Sequence, residues 1–180
     1  VGNDHHKFPR FIEIICALHK KNSNKYSFFL QYGHSEPPKL PISMSQFLNK
    51  DEFEKKIKQS EHIICHGGAG TIAQCIQAGK KPIVIPRRYD KNEHLNDHQL
   101  DIAQVFLNKK LCFIEDNPEK IQDFVTDEKY SALMLEKDGF TTNQIRSYLG
   151  DENAAWWRTL SEDQGIYVDT VPIDQVVEPL

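Results

Sequence analysis

The feature that most constrains this chain is a repeated alternation of short apolar runs with segments of helical period. "YSFFLQYG" (26–33), "EHIICH" (61–66), "KPIVIP" (81–86) and "LCFIED" (111–116) are apolar runs of strand length, and "ISMSQFL" (42–48) is a shorter, weaker one. Helical patterns separate them. In the first, Phe8, Phe11, Ile12, Ile15 and Leu18 fall near one face, and Pro9 suits a first turn. "KDEFEKKIKQS" (50–60) reads as an amphipathic, largely solvated helix. "AGTIAQCIQAG" (69–79) reads as a helix closed by Gly79. "NDHQLDIAQVFLNKK" (96–110) follows, with Leu95, Ile102 and Phe106 near one face, and then "NPEKIQDFV" (117–125) with Pro118 near its start. Strands alternating with helices predict an α/β fold, a parallel sheet covered by helices on both faces. Runs as continuously apolar as "PIVI" fit strands buried on both sides.

The alternation stops near residue 127. Residues 128–180 are expected to form an irregular or helical C-terminal extension, with helical pieces, the adjacent Trp156 and Trp157, and a strand-like "IYVDTVPI". The tryptophans are expected to pack on the core, with a partner surface as the other choice. At the other end, a glycine-containing loop feeding a helix normally follows a strand. Only Val1 stands in that place, so a truncated N-terminus is expected.

Bulk properties exclude several classes. A net charge of −4 gives no reason to expect nucleic acid as a partner, and aromatic and basic residues do not interleave as a single-strand reader requires. No apolar run reaches membrane-spanning length, and no signal peptide is visible. Cys16, Cys65, Cys75 and Cys112 each lie inside an apolar pattern with no CxxC, which reads as buried reduced thiols in a reducing cytosol.

The chemistry concentrates in "CHGGAGT" (65–71), which follows a strand and opens a helix. In open parallel sheets, ligands bind beyond the carboxyl ends of the strands. A helix N-terminus there offers unpaired N–H groups and a positive dipole end, an anion site that suits phosphate. Gly67, Gly68 and Gly70 would allow close approach, and Thr71 adds a hydroxyl. The pattern is neither a P-loop nor a dinucleotide fingerprint. Taken alone, it fits a tight strand-to-helix turn equally well.

A second cluster, "RRYDKNEHLNDHQLDIA" (87–103), lies past the carboxyl end of the next strand and would face the same crevice. Its polar side chains suit sugar hydroxyls, and its arginines suit phosphate or carboxylate. By itself it reads better as a solvated loop with Asp97 as a helix cap. His94 and His98 with Cys65 and His66 suggest a metal site, but no further ligand completes it, so no metal is expected.

Together the two clusters are more specific. The chain resembles the C-terminal, donor-binding half of family 28 glycosyltransferases. It is most similar to stand-alone versions of that half: bacterial polysaccharide transferases of the PssE type and the eukaryotic cytosolic UDP-N-acetylglucosamine transferase subunit. "VGNDHHKFPRF" resembles the family's opening V-G-T loop and Phe-x-Arg helix through Gly2, Phe8 and Arg10. "LQYGHS" resembles Q-x-G-H-S through Gly33, His34 and Ser35. "ICHGGAGTI" resembles S-H-G-G-x-G-[ST]-I, and "IVIPRRYDKNEHLNDHQLDIA" resembles V-V-P-R followed by E-H-x-N-D-H-Q. The likeness spans roughly residues 1 to 125.

The resemblance implies a Rossmann-like fold, the C-terminal half of a GT-B enzyme, with residues 1–127 as a nucleotide-sugar-binding domain. It implies that His66, Gly67, Gly68, Gly70 and Thr71 cradle the donor diphosphate, with Gly2 and Asn3 opposite. His98 and Gln99 match positions that contact the transferred sugar, with Asp97 beside them. Gln74 stands where many relatives carry a ribose-binding Glu, and Asn3 where they carry Thr. The implied activity is inverting, metal-independent transfer from a UDP-sugar, with no cofactor besides that donor. The catalytic base is not identified. The acceptor would be a lipid-diphosphate-linked saccharide, in dolichol-linked or polysaccharide synthesis. A membrane-anchored, acceptor-binding subunit would hold the chain at the membrane from the cytoplasmic side, and no nucleic acid is involved. A non-catalytic or degenerate partner subunit is the alternative.

Overall fold

The structure is a computed structural model that describes residues 5–126, 140, 144, 145 and 147–149. Gly2, Asn3, Trp156, Trp157 and the strand-like 166–173 lie outside the described residues. Between residues 9 and 126 the described elements follow the order the apolar pattern predicts. They are α1 (Pro9–Asn22), β1 (Phe29–Gln31), β2 (Ser43–Ser45), α2 (Lys50–Gln59), β3 (Ile64–His66), α3 (Ala69–Gln77), β4 (Ile83–Ile85), α4 (His98–Asn108), β5 (Phe113–Ile114) and α5 (Pro118–Thr126).

Every strand pairing is parallel. The hydrogen-bonded ladders among the described residues form two pieces, β1–β2 and β3–β4–β5, where one sheet was expected. The pieces share a core rather than a ladder. Leu30 of β1 lies in the same apolar cluster as Ile83 and Ile85 of β4 and Phe8, Phe11 and Ile15 of the α1 region. The paired strands are also shorter than the apolar runs that announced them. Apolar residues beyond the ladder, such as Phe28, still pack on the core without joining a strand pair.

Side-chain alternation along β4 explains its unbroken apolar sequence. Val84 points into a cluster with α3 and α4, while Ile83 and Ile85 point into the cluster with α1 and α5. Both faces are therefore covered, and a polar residue at any of the three positions would be buried. The fold is Rossmann-like, as expected. Ile145 and Leu149, C-terminal to α5, are buried in the α3–α4 cluster.

Local signals set the helix ends. Pro9 occupies the first turn of α1. Asn49 and Glu52 form a reciprocal capping box at α2, an N-x-x-E signal that also shields a weakly apolar helix from fraying. Gly79 takes φ 72° after α3. The Gly79 and Lys80 amides return to the Ile76 and Cys75 carbonyls, which makes a Schellman closure. Leu95 departs from expectation. It lies before α4, not on its inner face, and is 75% exposed. The helix starts at His98, so the apolar periodicity begins only with Ile102.

Candidate functional site

The carboxyl ends of β3 and β4 carry the two sequence clusters. After His66 the chain turns through Gly67 and Gly68 into α3. Gly68 is the N-cap in an extended conformation and has no side chain with which to cap. No acidic residue sits in the first turn of α3, so the helix itself supplies no charge against the positive end of its dipole. Gly70 is buried in that turn, and Thr71 is half-buried.

Both leading glycines stand where a Cβ would collide with a neighbour, Gly67 against backbone and Gly68 against a side chain. A Cβ at Gly67 would come within 2.7 Å of the Gln99 carbonyl oxygen and 2.8 Å of its Cβ. A Cβ at Gly68 would run into the imidazole of His66, which is itself buried. The glycine loop and the start of α4 therefore touch through backbone. Two motifs separated by a whole strand thus meet at this contact.

Gln99 is 4% exposed, and its Oε1 accepts the Arg87 backbone N–H at 3.3 Å. That bond ties the end of β4 to α4. His98 is half-buried at the first position of α4, with its Nδ1 against Asn96 Oδ1 and its ring edge-on to His94 at 4.4 Å. Asp97 corrects one reading. It occupies the N-cap position of α4 but makes no capping bond with its side chain. Its carboxylate accepts the Tyr89 N–H at 2.9 Å, which stitches the loop instead. Gln74, one turn into α3, has a buried Oε1 that accepts no hydrogen bond. Such an atom carries a desolvation cost of about 1–3 kcal/mol until a donor reaches it.

A network around Phe8 frames the site, and residue spacing did not reveal it. Arg10 makes a bidentate pair with Glu93, Nε to Oε1 at 2.8 Å and Nη2 to Oε2 at 2.7 Å. It also donates to the Pro86 carbonyl and to Asp116. Burial alone would lower the Arg10 pKa, but the Glu93 bond and the Glu93, Asp116 and Asp90 charges outweigh it and raise it. The Phe8 N–H donates to the buried Ser35 hydroxyl at 2.8 Å. Gly33, with φ 59°, turns the chain so that Ser35 arrives there. The Phe-x-Arg, G-H-S and E-H stretches thus interlock. Between the first and the last of these stretches lies an open groove of about 450 Å³, lined by His6, Lys7, Glu13, Lys91 and Asn92 among others.

Histidine rings collect on the same side. His5 lies 4.9 Å from His34, and His6 5.9 Å from His94. No group of three His, Cys, Asp or Glu side chains among the described residues is placed to hold a metal ion. Cys65 is buried, and its hydrogen bond with Cys75, then burial, push its pKa well up. It is therefore a packed thiol rather than a nucleophile.

A family model described as the glycosyltransferase family 28 C-terminal domain matches residues 5–145. The chain is similar to the UDP-N-acetylglucosamine transferase subunit ALG13 of Candida albicans (strain SC5314 / ATCC MYA-2876), 24% identical over 135 residues. That alignment covers 75% of this chain and 42% of the relative, so the chain spans less than half the relative's length. Among solved structures it is similar to the glycotransferase of kitacinnamycin, with TM-score 0.52 and 17% identity over 88% of this chain and 40% of that one. At that identity the likeness speaks for the fold. No helix among the described residues is long and apolar enough to cross a membrane.

Proposed function

Because the chain belongs to the glycosyltransferase family 28 C-terminal domain family, we propose that it binds a UDP-sugar at the Gly67–Gln99 crevice and supplies the donor half of a glycosyl transfer. The observation that carries this reading is the backbone contact between Gly67 and Gln99. It sets an uncapped helix N-terminus beside a polar loop, which is what a diphosphate joined to a sugar requires.

In this reading the donor diphosphate lies against the N–H groups of the first turn of α3, near His66, Gly68, Gly70 and Thr71. Gln74 Oε1, buried and without a donor, takes a ribose hydroxyl. His98 and Asp97 face the sugar. Gln99 holds the floor of that subsite, because its oxygen is engaged by Arg87. Gly2 and Asn3, which lie outside the described residues, are assigned to the opposite side of the diphosphate.

In the reaction, an acceptor hydroxyl oxygen bonds to the anomeric carbon from the face opposite the diphosphate. The carbon–oxygen bond to the β-phosphate breaks, its electron pair leaves with UDP, and the hydroxyl proton passes to a base. Attack from the opposite face inverts the anomeric centre. Helix N–H donors and the dipole stabilise the charge that grows on the diphosphate, so this route needs no metal ion and no cofactor.

The name of the Candida relative favours N-acetylglucosamine as the sugar and a further subunit as partner. We assign the partner the acceptor-binding half and the membrane anchor, and the acceptor a lipid-diphosphate-linked saccharide. The chain then works at the cytoplasmic face of a membrane. The first test is thermal stabilisation by UDP, UDP-N-acetylglucosamine, UDP-glucose and GDP-mannose. Stabilisation by the UDP compounds above that by GDP-mannose is expected. Failure of every UDP compound to raise the melting temperature overturns the donor-site reading.

A further inference from the structure

The loop between β4 and α4 spans residues 86–97 and has little apolar anchorage. Its Tyr89 and Leu95 are 60% and 75% exposed. Polar contacts hold it instead, and they converge on Glu93. The Glu93 side chain is only 6% exposed. Its carboxylate takes both bonds from Arg10 and, at 3.0 Å, the backbone N–H of Arg88. Its carbonyl accepts Nη1 of the fully buried Arg87 at 3.1 Å, and the same nitrogen reaches the Lys7 carbonyl. Both guanidinium groups lie over the Phe8 ring, at 5.2 Å for Arg10 and 4.7 Å for Arg87. Asn92, just before Glu93, takes the left-handed φ of 54° that turns Glu93 inward.

From this geometry we infer that Arg10 and Glu93 are positioning residues for the sugar end of the site. They hold the 86–97 loop on the path that delivers Asp97, His98 and Gln99 to the glycine loop. The assignment of that end to the sugar rests on the proposed function; the bracing does not. The hydrogen bonds of the brace run to the 86–97 loop and to Asp116 rather than to α3, so its loss is expected to reach the sugar end before the diphosphate and ribose positions. Removing one partner of a buried ion pair leaves the other charge uncompensated, which is far costlier than losing an exposed pair. Lysine at position 10 would keep the charge but lose the planar two-point fit.

The test uses the full chain with Arg10→Lys, Arg10→Gln, Glu93→Gln and the double variant Arg10→Gln/Glu93→Gln. Calorimetry with UDP and with UDP-N-acetylglucosamine reads the site. Amide hydrogen exchange at Arg88 and Tyr89 reads the loop. UDP affinity is expected to stay within about twofold of the parent, while the added affinity from the sugar falls by about tenfold in Arg10→Gln. Exchange at Arg88 and Tyr89 is expected to accelerate, while the first turn of α3 keeps its parental rate. Arg10→Lys should fall between, and the neutral double variant should recover part of what Glu93→Gln loses. Should Arg10→Gln not fold, Arg10→Lys carries both readouts. Equal losses for UDP and UDP-sugar, or unchanged loop exchange in the variants, overturn the brace. If the parent binds no UDP, the functional reading falls, and the exchange data alone decide the brace.

Discussion

Gly67 and Gln99 meet through backbone: a Cβ at position 67 would lie 2.7 Å from the Gln99 carbonyl oxygen. That contact joins the loop after β3 to the helix after β4. It leaves no space for any side chain at 67, whether or not a ligand is bound.

Gly67→Ala must therefore push α4 away from the glycine loop. Overpacking of this kind costs about 1–3 kcal/mol, which lowers the melting temperature of a chain of this size by roughly 2–12 °C. UDP binding should weaken with it. Gly68→Ala should cost less, because the obstacle there is the His66 ring, which can rotate, and not backbone. Calorimetric melts of the two variants check the order, and equal destabilisation would contradict it.

Gln74 separates binding from stability. Its Oε1 is buried and without a partner, so Gln74→Leu removes a desolvation cost along with the proposed ribose contact. The expected result is a melting temperature equal to or above the parent, and UDP affinity lower by about fivefold to tenfold. Gln74→Glu should do the reverse. The carboxylate makes a stronger bond to a hydroxyl but is costly to bury when unliganded, so UDP binds more tightly and the free protein melts earlier. Titrations with UDP alongside melts of the free variants read both effects.

His62 gives stability a dependence on pH. Burial lowers its pKa below the ordinary 6.5, with smaller contributions from Glu61, which raises it, and Lys25 and Lys80, which lower it. Its Nε2 accepts no hydrogen bond, and the ring packs edge-on against Tyr26 at 5.6 Å. The unfolded chain therefore takes up the proton first. The contribution of neutral His62 is fully present above pH 6.5 and is lost as pH falls from there toward the folded-state pKa. Melts at pH 7.5 and 5.5 should show a smaller drop for His62→Phe, which keeps the ring contact without the titration. An identical drop in both proteins would remove His62 as the cause.

The thiols should label in a fixed order. Burial pushes Cys112 up to about 12, and Cys65 rises well above 9.0 through its Cys75 bond and burial. Cys16 is partly exposed, and its pKa is raised by burial and by Glu13. At pH 8 only about one Cys112 in ten thousand carries the reactive thiolate. Iodoacetamide followed by mass spectrometry should find Cys16 modified first and the other three protected until the chain is denatured. Early labelling of Cys65 would mean that the base of the glycine loop opens in the native state.

Much of the site was legible because its parts are local. A run of apolar residues ending in His66-Gly67-Gly68 specifies a strand that must turn sharply, and the helical period that follows specifies what it turns into. The spacing of Leu95 to Ile102 suits a helix face, but Asp97 bonds back to the Tyr89 amide and Asn96 accepts the His98 N–H, so α4 starts only at His98. Asp97 has the identity of a cap, but a nearer donor, the Tyr89 amide, takes its carboxylate.

By itself, then, the sequence determined the order of strands and helices, the apolar faces that cover β4 on both sides, and the glycine turn into α3. Burial period and backbone freedom act over a few residues and are written into them. Only the tertiary structure decided that Gln99 packs against Gly67, and that Arg10 closes on Glu93 across 83 positions of chain. Such pairs depend on how finished elements stack. The stacking energy is spread over two whole apolar clusters rather than carried by either partner.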